Sequence, residues 1–272
     1  MKKLLLCAVF ILISVNALAQ HALEKIWESD SILKTPESVL FDAKSKILYV
    51  SNIGDFDKEN SGFISKLDLN GNILERNWVS DLTATKGMGL FNDRLYAAEM
   101  STVAVIDVTS GTIVQRIPIE GAQMLNDITI DPNGIVYVSD TRTGKVHKIE
   151  NGEPSLYLEN LKSPNGLLSV GNVLYVLADG TLQKTDDGSA LTQLAEGMEG
   201  GTDGIEMVKE NEFIISCWQG VIYYVKSDGS KQLLLDTRDQ KINTADIGYD
   251  SQNQIVYVPT FGKNNVVAYK LK

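Results

Sequence analysis

LNDITIDPNGIVYVSDT, residues 125–141, writes out one β-hairpin. Ile128 and Ile130 alternate with polar residues up to Asp131-Pro132-Asn133-Gly134, and a second alternating segment returns from Ile135 to Ser139. Period-two alternation on both sides of an Asp-Pro-Asn-Gly cluster is the pattern of two antiparallel strands joined by a tight turn. Asn126 stands just before the first strand and Asp140 at the end of the second. Both therefore come out at one edge of the hairpin, opposite the turn.

The same arrangement recurs along the chain. Glu37, Lys86, Asn126, Asn165, Asp203 and Ala245 each precede a short apolar segment, at separations of 49, 40, 39, 38 and 42 residues. Second strands follow in each unit: KILYVSN, RLYAAE, IVYVSD, VLYVLA, EFIISC and IVYVPT. Third segments such as TVAVIDV and fourth segments such as KQLLLD complete most units. Four short strands per unit of roughly forty residues, repeated through the chain, specify an all-β, six-bladed β-propeller with four-stranded blades. No stretch carries a sustained helical period.

The sixth unit runs out at NVVAYKLK, the chain's end, without an outer strand, while LEKIWES stands ahead of the first unit. Leu23 to Ser29 is therefore predicted to pair as the outer strand of the last blade, closing the ring and leaving only short, protected edges. The first unit is lengthened by the polar stretch from Asp55 to Gly62, a candidate rim or lid.

Lys2 and Lys3, the apolar run Leu4 to Val15, and Ala17-Leu18-Ala19 read as a secretory signal peptide over residues 1–19. Residues 20–272 are then a single periplasmic or secreted domain, and the apolar run is too short to span a membrane well. The formal charge is -10, from 25 basic and 35 acidic residues, and becomes -12 once Lys2 and Lys3 leave with the leader. That balance disfavours a nucleic-acid partner. Only Cys217 remains outside the leader, so no disulfide forms within the mature chain. His21 lies beside the cleavage point, and His147 sits mid-strand and is expected on a blade surface. Neither is placed for zinc or for a His-based triad, and no phosphate loop or dinucleotide fingerprint is present.

Inner strands of a propeller surround its axis. The residues just before them, Glu37, Lys86, Asn126, Asn165, Asp203 and Ala245, must therefore converge at one mouth of the central channel. The ends of the second strands bring Asn52, Glu99, Asp140, Asp179, Trp218 and Phe261 to the same face. Taken singly, Asn-Gly and Asp-Gly pairs are ordinary turn chemistry. Their shared register is what points to a small-molecule site, and gathered oxygen donors suit Ca²⁺ or Mg²⁺.

These residues resemble the senescence marker protein/gluconolactonase family of six-bladed propellers, over nearly all of the mature chain. Thr35-Pro36-Glu37 is similar to that family's early metal-binding Glu. Ser163-Pro164-Asn165-Gly166 is similar to its Asn-Gly ligand, and Thr202-Asp203-Gly204 to its Asp-Gly ligand. Leu125-Asn126-Asp127 resembles a segment whose Asn lies beside metal and substrate. The resemblance implies an exported hydrolase of a lactone or related ester, with a divalent metal, Ca²⁺ first, held by Glu37, Asn165 and Asp203. It also implies that Asp203 guides an attacking water as general base.

Asn126, Glu99, Asp140, Asn52 and Trp218 are the candidate pocket residues around that centre. Lys86, in the ring position beside the inferred metal, either acts catalytically on a substrate oxygen or replaces the ion by pairing its ammonium with Glu37 and Asp203. Sugar-lactone hydrolysing members carry Arg two residues before the Asn, where this chain has Met124. The third unit also resembles the NHL repeat of many non-enzymatic binding proteins, so a binding or scaffold propeller is the second expectation.

Overall fold

The structure, a computed structural model, describes residues 20–272; the signal-peptide reading of residues 1–19 lies outside them. Every one of its sheets is antiparallel and four-stranded, and there are six of them. The inner strands of blades one to six are Pro36–Asp42, Met88–Phe91, Leu125–Ile130, Pro164–Val170, Thr202–Lys209 and Gly248–Asp250. Among the described residues the only helical elements are two 3₁₀ turns, Arg238–Gln240 and Phe261–Lys263.

Six apolar clusters hold the blades together, one at each interface between neighbours. Leu177 and Leu182 of blade four pack against Ile205 and Phe213 of blade five. Val39 and Leu48 of blade one meet Tyr257 and Val266 of blade six, which joins the last interface to the first. Each blade is thus apolar on both faces. That is why second strands such as ILYV and FII read as short continuous apolar runs rather than alternating ones.

Closure follows the expectation. Leu23–Glu28 pairs antiparallel with Val266–Leu271, running from Leu23 opposite Leu271 to Glu28 opposite Val267. The strand ends at Glu28, and the Ser29 N–H still donates to the Val266 carbonyl at 2.9 Å. Trp27 fastens the seam across to blade one, its indole N–H donating to the Leu69 carbonyl at 2.8 Å. Beyond it, the Thr35 N–H donates to Asn264 Oδ1 at 2.9 Å.

One irregularity positions the site. In blade three Leu125 pairs with Asp140 and Ile128 with Val138, so the inner strand carries one residue more than its partner. Blades one, four and five show the same bulge at the same level, between Pro36 and Ser38, Pro164 and Leu167, and Thr202 and Ile205. A bulge re-aims side chains and bends the strand, and here it brings two consecutive residues of the inner strand to the axial mouth. The N–H freed from the ladder finds a serine on the second strand. Ser38 N–H donates to Ser51 Oγ (3.0 Å), Asp127 N–H to Ser139 Oγ (3.0 Å) and Gly204 N–H to Ser216 Oγ (2.8 Å).

Candidate functional site at the channel mouth

Among the residues converging on the axis, Asn165 and Asp203 are in direct contact, the Asn165 Nδ2 donating to Asp203 Oδ1 at 3.0 Å. Glu37 acts electrostatically on Asp203. Glu37 Oε2 and Asn165 Oδ1 are both buried without a hydrogen-bond partner. Partnerless buried acceptors are costly and uncommon in folded proteins, and two of them at one mouth fit a bound cation. The donor set, two carboxylates and an amide, is hard oxygen chemistry. Among the described residues, no three His, Cys, Asp or Glu side chains form a metal-binding group on their own. A cation at this mouth would need the amide of Asn165 beside the two carboxylates.

A second tier lies one residue further along each strand. Asp246 Oδ2 accepts from Ser38 Oγ at 2.5 Å. The Asp127 carboxylate accepts from the N–H groups of Ile128 and, across the blade boundary, Leu167, each at 2.6 Å. Gly87, Gly166 and Gly204 occupy the same register. A Cβ on Gly87 would lie 2.5 Å from Asp127 Oδ1, one on Gly204 2.6 Å from Asp246 Oδ1, and one on Gly166 2.1 Å from the Asp203 carbonyl. The Asn-Gly and Asp-Gly pairs read above as turn chemistry are thus close-approach sites, bare because neighbouring inner strands need the space. Below this tier Asp127, Asp246 and Glu206 line a cavity of about 230 Å³ within the channel.

Burial dominates the electrostatics. It pushes the Glu37 carboxyl up to about 8, Lys86 opposing and Asp246 adding to the shift. Asp246 is pushed up to about 7 by burial against the opposing hydrogen bond from Ser38. Burial, then Asp246, raises Glu206 to about 8. Asp127 and Asp203 also stand well above the usual carboxylate range, through burial and then their acidic neighbours.

Lys86 is buried, yet among the described residues its ammonium makes no ion pair within 4.0 Å. It influences Glu37 and Asp203 through space, and lies 5.9 Å from the centre of the Phe56 ring. Direct pairing of Lys86 with the two acids, one of the sequence alternatives, is not the arrangement adopted.

One similar solved structure is a catalytically inactive virginiamycin B lyase from Staphylococcus aureus with quinupristin. It has a TM-score of 0.67 and 11% identity, covering 93% of this chain and 100% of that one. The likeness is one of fold. No family model matches the sequence, and no curated protein matches it.

Several of the remaining candidates are engaged in hydrogen bonds of their own. Asn52 accepts the Lys34 N–H (3.0 Å) and donates to Val50 O and Ser65 Oγ. Glu99 accepts the Thr83 N–H (2.7 Å) and the Arg116 guanidinium (3.2 Å). Asp140 accepts the N–H groups of Gln123 and Met124, each at 3.0 Å. Burial would raise Asp140, but hydrogen bonds from Thr143, Gln123 and Met124 outweigh it and hold the carboxyl below its ordinary value. These three side chains brace the loops that form the mouth, whose N–H groups need buried acceptors, instead of presenting free oxygens to a pocket. Asn126 donates to Thr141 Oγ1 (3.0 Å), which donates to the Pro164 carbonyl (2.7 Å), so it supports the backbone beside Asn165.

His147 is buried, not on a blade surface; it lines the cleft between the outer strands of blades two and three. Burial pushes the Cys217 thiol up to about 12, which makes it inert. Trp218 is exposed at the rim, its ring 5.4 Å from that of Phe261, which in turn lies 6.0 Å from Phe56 of the Asp55–Gly62 loop. Asp127, Asp246, Glu206 and Phe56 were not singled out from the sequence. Asp127 and Asp246 carry a usable signal nonetheless, as acids in a repeat position where three other units have glycine.

Proposed function

We propose that the chain is an exported hydrolase of the gluconolactonase type, acting on a lactone or related ester with a divalent cation, Ca²⁺ first, held by Glu37, Asn165 and Asp203. The observation that carries this reading is the pair of buried acceptors without partners, Glu37 Oε2 and Asn165 Oδ1, next to Asp203. Each such atom costs about 1–3 kcal/mol when left unpaired, a cost a bound cation removes. An ion so held supplies Lewis acidity to a carbonyl oxygen. Asp203 would accept a proton from water in its ionised form, which a bound cation would favour against burial, with Asn165 fixing its orientation through their 3.0 Å hydrogen bond. Lys86 stabilises negative charge developing on the substrate oxygen. Export rests on the leader-like residues ahead of Gln20.

A non-catalytic, NHL-like binding propeller is the second reading. It is favoured by the exposed aromatic rim and by Met124 standing where sugar-lactone hydrolysing relatives of the family carry Arg. Metal content, and melting temperature with and without chelator, separate the two at little cost. Absence of bound metal together with no thermal shift would sink the metal-dependent reading. Turnover on a panel of lactones, abolished in Asp203→Ala and Asn165→Ala and retained in His147→Ala, would rule out the scaffold.

A further inference from the structure

Three aromatic side chains from consecutive blades meet at one side of the mouth: Trp218 of blade five, Phe261 of blade six and Phe56 of blade one. Phe261 stands edge-on to Trp218 at an interplanar angle of 85° and is tilted by 47° to Phe56. Two of the three are exposed, Phe56 at 60% and Trp218 at 43%. Elsewhere on the mouth the fold packs its side chains tightly, with Glu37, Lys86, Asn126 and Asp203 all buried.

Phe261 also sits at φ 52°, in the left-handed region. A bulky side chain is rarely found there unless its surroundings fix it. The fixing contacts are the turn hydrogen bonds from the Asn264 N–H to the Phe261 carbonyl (3.2 Å) and from the Lys263 N–H to the Thr260 carbonyl (3.3 Å). The cluster is tied to the axis by Lys86, whose ammonium lies 5.9 Å from the Phe56 ring centre while its charge acts on Glu37 and Asp203. A cation beside a ring face, with more ring faces open to solvent next to it, is complementary to a molecule that carries both an aromatic ring and an electron-rich oxygen.

We propose that Phe56, Phe261 and Trp218 form a recognition subsite for an aromatic ring. The ligand of the axial mouth is then an aryl-substituted carbonyl or carboxylate compound whose oxygen faces Lys86. The inference rests on the mouth being the ligand site, as in the preceding reading, but not on catalysis there. Ring faces at the rim select against small acids without a ring, and the single ammonium gives the ligand its orientation.

The test is a binding titration of the full mature chain in the presence of Ca²⁺, by calorimetry, with 3-phenylpropanoate, propanoate and gluconate as probes. 3-Phenylpropanoate is expected to bind about tenfold more tightly than either ring-free acid, the scale of one good aromatic contact. Phe56→Ala and Trp218→Ala should each reduce that preference by about threefold or more, with melting temperatures little changed because both side chains lie at the surface outside the apolar clusters between blades. Phe56→Tyr should keep the preference. Should an alanine variant lose stability, Phe56→Leu replaces it, retaining apolar bulk without a ring face. Equal binding of the three probes, or an undiminished preference in both alanine variants, overturns the subsite.

Hydrolysis of dihydrocoumarin against δ-valerolactone separates this inference from the hydrolase reading. Ring preference in binding with no turnover of either lactone removes the hydrolase and leaves the subsite. Turnover of both at similar kcat/KM, with no ring preference in binding, removes the subsite and leaves the hydrolase.

Discussion

At the scale of single residues, the axial acids decide how the molecule responds to pH. Glu206 shows the sign most simply. Its folded pKa of about 8 lies above its ordinary value of 4.5, so the folded state holds a proton that the unfolded state releases. The corresponding stability is fully present below the unfolded value and is lost as pH rises to about 8. In chelator, the wild-type melting temperature is therefore expected to fall between about pH 5 and about pH 9, and Glu206→Gln should fall less over the same range. Parallel melting profiles for the two proteins would contradict this. Glu37, Asn165 and Asp203 were legible because repeat register alone puts them at one mouth. Asp127 and Asp246 carried only the weaker signal of acids where three other units have glycine, because strand alternation sends only one of two consecutive residues inward.

At the scale of the element, the bulge is what defeats that alternation. It recurs in blades one, three, four and five, and in three of these a second-strand serine takes the freed N–H. Ser51, Ser139 and Ser216 appear in the sequence as small polar residues inside apolar strands, a signal with no meaning until the bulge is seen. Ser139→Ala leaves the buried Asp127 N–H unpaired and is expected to destabilise the protein by about 1–3 kcal/mol, measured by denaturant unfolding. A Ser139→Ala variant with unchanged stability would show that water or a shifted backbone replaces the hydroxyl. The opposite end of the same hairpin behaves as its sequence suggested. Asp131 Oδ1 accepts the N–H groups of Asn133 (2.9 Å) and Ile135 (2.8 Å), and Gly134 takes φ 88°, so that turn is structural.

At the scale of the whole molecule, stability is that of a closed ring. Without a disulfide in the described residues, the blades are joined by their six apolar interfaces and by the strand Leu23–Glu28 on blade six. A chain beginning near Lys34 loses that strand, the Trp27 bond to blade one and the seam at Ser29. It also exposes the edge of Val266–Leu271. Such a truncation is expected to lower the melting temperature and to promote association through the bare edge. A soluble truncated chain with an unchanged melting temperature would refute the closing role.

The sequence by itself determined the propeller, its blade count, the strand that closes it and the face on which polar residues gather. These follow from periodicity and from where the sixth unit stops, and both are properties of order along the chain. Only the tertiary structure decided which side chains share the axis. Asp127 joins the mouth through a bulge that breaks the strand period, Asp246 lies against Ser38 of the neighbouring blade, and Gly87, Gly166 and Gly204 are bare because a neighbouring blade's backbone or carboxylate lies against them. Asn52, Glu99 and Asp140, polar and in register, turn instead to the loop N–H groups beside them. Phe56 reaches the mouth from a loop whose reach no repeat encodes. In each case the deciding interaction is between blades, or between a strand and a loop, and distance in space is set there by packing rather than by position in sequence.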